Sequence, residues 1–303
     1  MTESDHEFVE GFLTRVNGER LRVAVEHEGA PGPAVVYLNG MGLPLDYWDP
    51  VIRFLPHVTA FRFDRPGLGG SPRSLRPSDD LTDEIDRALA VADMLAANRP
   101  LIFVGHSYGG VIAEAAARLH PDRCVGLVTV DGSDAHDYAD DNSQPEGRAS
   151  RALTSALLAV PQITRFAGTS LEQAMTYATT TRGDGPRLSR AQRALVSSPT
   201  HLATAVAENS RFPKHCSQAL TVIDEHPMPE IPVRILVASR TGGRLFNLPL
   251  TRWVDQNRDR LSELGPDAAI VELPAAHLMM FDVPEKIADT IRDIVEVQSR
   301  DLD

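Results

Sequence analysis

The chain has 303 residues, of which 42% are hydrophobic and 24% charged, ordinary globular proportions that exclude a disordered or membrane-embedded protein. Its formal net charge is −12, with 30 basic against 42 acidic residues, a field that repels a phosphate backbone and argues against nucleic-acid binding. Two isolated cysteines, Cys124 and Cys216, make no disulfide framework, and no run approaches the ~20 apolar residues needed to cross a bilayer.

The opening stretch "MTESDHEFVE" lacks the basic and apolar parts of a signal peptide, so a soluble, cytoplasmic protein is expected. "FLTRVNGERLRVAVEHEG" then carries two alternating segments around Asn17-Gly18, the signal of a tight hairpin. Short apolar runs "AVVYL" (34–38) and "VTAFRF" (58–63) read as strands, ended by "NGMG" and "DRPGLGGS", with helical spacing in "DYWDPVIRFL" between them. "LTDEIDRALAVADMLAA" (81–97) repeats apolar residues at three and four with acids early, as an amphipathic helix does. A strand "LIFVG" (101–105), a helix from about Tyr108 to Leu119 and a strand "CVGLVTV" (124–130) follow.

Residues 134–228 hold helical pieces separated by loop-like breaks ("DDNSQPEGR", "TTRGDGPR", "ENSRFPKH") and little that reads as strand. Alternation resumes at "PVRILVAS" (232–239), followed by a helix through Trp253 and Leu264, a strand "AAIVELP" (268–274) and a final helix from Pro284 to about Ser299. Strands alternating with helices imply an α/β fold with a mostly parallel sheet covered on both faces and antiparallel strands at one edge. The predicted division is a core of residues 1–133 and 229–303 with a helical insertion at 134–228.

The sharpest local signal is Gly105-His106-Ser107-Tyr108-Gly109, a G-x-S-x-G placed between an apolar strand and a helix. Small flanking residues let strand and helix approach, and the tight turn lifts the Ser107 hydroxyl above the sheet edge beside the positive end of the helix. A hydroxyl is a weak nucleophile and needs a base. Among ten histidines, His106 lies inside the turn and reads as packing or site rim, and His120 in "LHPDR" as a cap or surface residue. His277, in "LPAAHLMMFDVPE" after the last strand, follows Ser107 in chain order and faces the same crevice, so it is the expected base.

With these features the chain resembles the α/β-hydrolase superfamily over essentially residues 10–300: the G-H-S-Y-G elbow, "NGMG", "DRPGLGGS", a helical cap and the late histidine. The resemblance implies an eight-stranded sheet with antiparallel first strands, and an oxyanion hole built from the backbone N–H groups of Met41 and Tyr108. Many relatives have His-Gly where this chain has Asn39-Gly40, a change that a backbone donor survives. "DRPGLGGS" lacks the lysine and spacing of a phosphate loop and reads as a structural turn, with Asp64 and Arg65 bracing the loops around the site.

The commonest relatives carry a third residue, an aspartate, just after the strand matching "PVRILVAS"; here no carboxylate follows until Asp255. Asp131, in "LVTVDGSD" at the tip of the strand beside that of Ser107, is the preferred acid, with Asp134 second and Asp255 third. The tail "TRWVDQNRDRLSELGPDAAIVELPAAHLMMFDVPEKI" also looks like that of bacterial hydrolases with this shifted acid.

The expected activity is a serine hydrolase cleaving an ester or lactone of a small, fairly apolar molecule, with no metal or organic cofactor. Alternatives on the same fold are a carbon–carbon bond hydrolase, a cofactor-free peroxidase or a ligand-binding sensor with vestigial activity. A serine at the elbow argues against epoxide hydrolase and haloalkane dehalogenase chemistry, where relatives use aspartate. Ala152, Leu157, Leu158, Phe166, Met175 and Tyr177 read as cap core or pocket wall, and Met279, Met280 and Phe281 carry the same ambiguity. The expected partner is a small-molecule substrate, with a homo-oligomer open.

Overall fold

The computed structural model describes residues 11–74, 80–96, 98–139, 188–240 and 258–300, with isolated positions between 152 and 181. Eight strands form one sheet: β1 (Phe12–Val16), β2 (Glu19–Glu26), β3 (Ala34–Leu38), β4 (Ala60–Phe63), β5 (Leu101–His106), β6 (Cys124–Val130), β7 (Val233–Ala238) and β8 (Ala268–Leu273). Their order across the sheet is β1-β2-β4-β3-β5-β6-β7-β8. The first two strands pair antiparallel through Asn17 (φ 46°) and Gly18 (φ 83°), the pair of left-handed residues that a two-residue hairpin turn requires. From β4 to β8 every pairing is parallel. This is the mostly parallel eight-stranded sheet, with antiparallel strands at one edge, that the sequence pattern predicts.

Burial explains the composition of the strands. Every residue of β3 and β5 is buried, because helices cover both faces, and such strands read as continuous apolar runs rather than alternation. One core cluster joins Val36, Phe61 and Phe103 to helix α2 (Leu81–Ala96) and helix α3 (Tyr108–Leu119). The other joins Val35, Ile102 and Val128 to the C-terminal helix (Pro284–Arg300), which buries Ile287, Ala288, Ile291, Ile294 and Val295 along one stripe. Met279 and Met280 lie in this second core, fully buried, and Phe281 meets Tyr47 edge-on, so the two methionines are packing residues. Cys124 and Cys216 are buried as well, and burial pushes both thiols up to about 12.

Two elements differ from their sequence reading. "DYWDPVIRFL" forms a single 3-10 turn (Leu45–Trp48) and a one-turn helix α1 (Asp49–Ile52) instead of a longer helix. "ENSRFPKH", read as a loop-like break, lies in the middle of a 27-residue helix spanning Pro199–Glu225. Its Asn, Ser and Pro are poor helix formers, but Glu208, Phe212 and His215 are buried against Arg65 and Tyr108, and tertiary packing overrides local propensity. With helices α4 (Ala135–Tyr138) and α5 (Arg190–Val196), this long helix, α6, accounts for the elements described within residues 134–228. No helix among the described residues is long and apolar enough to cross a membrane.

The strand order sets the position of the site. After β3 the chain moves outward to β4, then returns to the other side of β3 as β5. The loops leaving β3 and β5 therefore diverge, opening a crevice at the carboxyl end of the sheet, where open α/β sheets bind ligands.

Candidate active site

Ser107 stands at the corner between β5 and α3 with φ 52° and ψ −120°, a conformation that side chains rarely adopt. The turn is held by Gly110 N–H donating to the Ser107 carbonyl at 2.8 Å, with Ser133 N–H donating to the same oxygen at 3.1 Å. Its two glycines are sterically required. A Cβ on Gly105 would lie 2.2 Å from the Gly109 carbonyl oxygen, and one on Gly109 would lie 2.1 Å from that of Leu38.

Asp131 follows the last residue of β6, also in the left-handed region (φ 44°). Its own N–H donates to Leu236 O at 2.7 Å, and its Oδ1 accepts the Ala238 N–H at 3.1 Å, which locks the carboxylate between the tips of β6 and β7. The remaining oxygen, Oδ2, lies 2.6 Å from His277 Nδ1. Nδ1–H therefore donates to the carboxylate, and the lone pair of the imidazole sits on Nε2. The carboxylate is buried, whereas the His277 side chain is 38% exposed and open to the crevice.

His106 packs its ring against His277, with centroids 4.7 Å apart, and its Nε2–H donates to the His277 carbonyl at 2.9 Å. Burial, with a smaller contribution from His277, holds His106 well below the usual histidine range, so it stays neutral. It supports the loop that carries His277. His120 caps the end of α3. Among the described residues, none hydrogen-bonds the Ser107 hydroxyl or the N–H groups of Met41 and Tyr108.

The other acid candidates separate cleanly. Asp134 caps α4, its Oδ1 accepting the His136 N–H at 3.0 Å, with Arg260 3.9 Å away, and it does not hydrogen-bond His277. Asp255 lies outside the described residues, as do Leu157, Leu158, Phe166, Met175 and Tyr177; Ala152 is exposed. Asp64 is fully buried and accepts the N–H groups of Leu45 and Gly70, each at 2.7 Å, so "DRPGLGGS" is a structural turn. Gly69 has no room for a side chain there, since its Cβ would fall 2.2 Å from the Asp64 carboxylate.

Sequence reasoning missed the contributions of the long helix and of Asp282. Glu208 reaches Arg65 and the loop after β3, and His215 Nδ1 lies 2.6 Å from the Tyr108 hydroxyl. Asp282 accepts the Ala276 N–H at 2.8 Å and the Thr181 hydroxyl at 2.7 Å, tying the loop that carries His277 to Thr181. The only signal for these partners was charge inside segments that read as loops. No cluster of three or more His, Cys, Asp or Glu side chains suited to a metal ion occurs among the described residues.

Residues 35–290 match a family described as the alpha/beta hydrolase family. The chain belongs to that family. Among curated relatives, this hydrolase-family chain is 36% identical over 129 residues to the pimeloyl-[acyl-carrier protein] methyl ester esterase of Chromobacterium violaceum, covering 40% of this chain and 45% of the relative. It is 30% identical over 107 residues to an uncharacterized protein of Bacillus subtilis, covering 34% and 41% respectively. The matches thus span less than half the length of these relatives. A solved putative epoxide hydrolase from Pseudomonas aeruginosa superposes with a TM-score of 0.72 at 17% identity over the whole of both chains. The enol-lactonase of Burkholderia xenovorans LB400 superposes with a TM-score of 0.61 at 17% identity, covering 94% of this chain and all of that one. At such identities the two structures speak for the fold alone.

Proposed function

We propose that this hydrolase cleaves an ester or lactone bond of a small, fairly apolar molecule through a covalent acyl-enzyme. The Ser107 hydroxyl attacks the carbonyl carbon while His277 Nε2 takes its proton and passes it to the leaving oxygen. Asp131 keeps His277 in the Nδ1–H tautomer and stabilises the imidazolium formed in the transition state. The N–H groups of Met41 and Tyr108 receive the oxyanion, each such donor contributing on the order of 3–4 kcal/mol. Water, deprotonated by the same histidine, then attacks the acyl carbonyl and frees Ser107 and the acid.

The observation that carries this reading is the 2.6 Å bond between Asp131 and His277 at the crevice that the Ser107 elbow enters. A buried carboxylate holding a half-exposed imidazole in one tautomer is the arrangement that general-base catalysis uses. The similarity to methyl ester esterases supports an ester over an epoxide, as does a serine at the elbow. Residues 134–228 act as a helical cap over the acyl pocket in this reading.

A fluorophosphonate probe and a panel of p-nitrophenyl esters and lactones of graded chain length test it. Labelling at Ser107 together with turnover is the expected result. Labelling without turnover at any acyl length favours a ligand-binding protein on the hydrolase fold, and neither outcome together rejects both.

A further inference from the structure

The loop after β3, "NGMG", must hold the Met41 N–H toward the crevice, yet it has no regular secondary structure to fix it. Its conformation is set from outside. Arg65, 4% exposed, donates from Nη1 to Asn39 O at 2.7 Å and from Nη2 to Gly40 O at 2.8 Å, so the two carbonyls before Met41 are pinned to one guanidinium. Glu208 on α6, 5% exposed, holds that guanidinium from the opposite side through Nε (2.6 Å) and Nη2 (2.9 Å). The same carboxylate accepts the N–H of Gly42, the residue after Met41, at 2.8 Å.

Gly42 has φ 68°, and a Cβ on it would lie 3.0 Å from the Ala205 side chain, so the helix rests directly on the loop. The other proposed oxyanion donor is reached by the same elements. The Arg65 guanidinium lies 5.2 Å from the Tyr108 ring centroid, and His215, two turns further along α6, meets the Tyr108 hydroxyl.

We infer that Glu208, carried by the insertion rather than by the sheet domain, is the positioning residue that fixes the geometry of the oxyanion hole through Gly42 and Arg65. This rests on the hydrolase reading given above. Both residues flanking the Met41 amide are bound in one buried ion pair, so a shift of α6 moves the amide with it. Seating of the insertion helix on the core is thereby coupled to the competence of the hole. The pairing also serves electrostatics: a lone carboxylate this close would oppose an oxyanion, and the bidentate contact with Arg65 neutralises it.

The test compares the full chain with Glu208→Gln, which keeps the shape and removes the charge. A double variant, Arg65→Met with Glu208→Leu, removes both charges with little change in volume, so that folding is retained where one unpaired buried charge would be costly. Hydrogen–deuterium exchange is read on the peptide covering residues 38–43, and kcat and KM on the best ester of the panel. Faster exchange in that peptide, with kcat lowered by about 10- to 100-fold, KM within about threefold and an unchanged shape of the kcat–pH profile, is the expected result in both variants. Affinity for an arylboronic acid, whose adduct with Ser107 is tetrahedral and anionic, falls in parallel with kcat.

Unchanged exchange, or kcat within about threefold of the parent in the folded double variant, overturns the inference and leaves the hydrolase reading standing. If the parent chain turns over no ester and Ser107 takes no probe, the hydrolase reading fails instead. Exchange at residues 38–43 then still decides whether Glu208 holds the loop.

Discussion

Asp131 and His277 are 146 residues apart in the chain, yet His277 Nδ1, on the loop after β8, lies 2.6 Å from Asp131 Oδ2 at the end of β6. The acid reaches the histidine because Asp131 takes a left-handed conformation at the end of its strand and spends its other oxygen on Ala238 N–H. An Asp131→Asn substitution preserves the size but offers a carboxamide, which favours the wrong imidazole tautomer. The expected fall in kcat/KM is on the order of 10⁴-fold with the fold intact. Asp134→Asn, which alters a helix cap and its contacts with the His136 ring and Arg260 but none with His277, should leave turnover unchanged at a stability cost of roughly 1–2 kcal/mol. Steady-state kinetics on both variants decide the matter, and the reverse ranking would move the acid to residue 134.

The elbow gives a prediction about stability. A methyl group on residue 105 or 109 would overlap a backbone oxygen at 2.2 or 2.1 Å, and backbone cannot yield as a flexible side chain does. Gly105→Ala and Gly109→Ala should each destabilise the chain by roughly 3 kcal/mol or more. Chemical denaturation measures this directly. A loss below about 1 kcal/mol in either variant would mean that the turn relaxes more easily than its geometry indicates.

The sheet, its hairpin and the elbow were legible because they rest on local rules: Asn17-Gly18 for the turn, continuous apolar runs for buried strands, and glycines around Ser107. Ser107, Asp131 and His277 were legible for a related reason. The ends of parallel strands meet at one edge, so a residue just after a strand is placed by topology alone. Glu208, His215 and Asp282 were not, because each acts through a contact between the insertion and the core. "ENSRFPKH" reads as a break until one sees that Glu208 and His215 meet the buried Arg65 and Tyr108 from α6.

His201 ties stability to pH. Its Nδ1 accepts the Gly69 N–H at 2.9 Å, which requires the unprotonated nitrogen, and burial, aided by Arg65, lowers its pKa to about 4. In the unfolded chain the same ring takes up a proton near pH 6.5. Between pH ~6.5 and ~4 the unfolded state therefore binds more protons than the folded one, so stability falls as the pH drops through that window. The full contribution is of order 3 kcal/mol, present above the upper limit and lost by the lower. His201→Gln keeps an acceptor without a titrating ring. Its unfolding free energy should lose less between pH 7 and pH 4.5 than the parent's, and parallel pH curves would refute this.

Asp282 holds the loop that carries His277. Its carboxylate accepts the Ala276 N–H with Oδ2 and both the N–H and hydroxyl of Thr181 with Oδ1, while Leu278 N–H donates to Thr179 O at 2.9 Å. His277 is thus flanked by two residues whose amides are bound, one of them to the insertion itself. Asp282→Asn leaves a single acceptor oxygen for these donors and should cost about 1–3 kcal/mol of stability. Thr181→Val removes only the hydroxyl bond, so its cost is expected near 1 kcal/mol. If the Asp282 contacts fix the height of the imidazole over Ser107, Asp282→Asn lowers kcat by about tenfold at unchanged KM, and Thr181→Val does so less. A parent-like kcat in a folded Asp282→Asn chain would assign the placement of His277 to Asp131 and His106 alone.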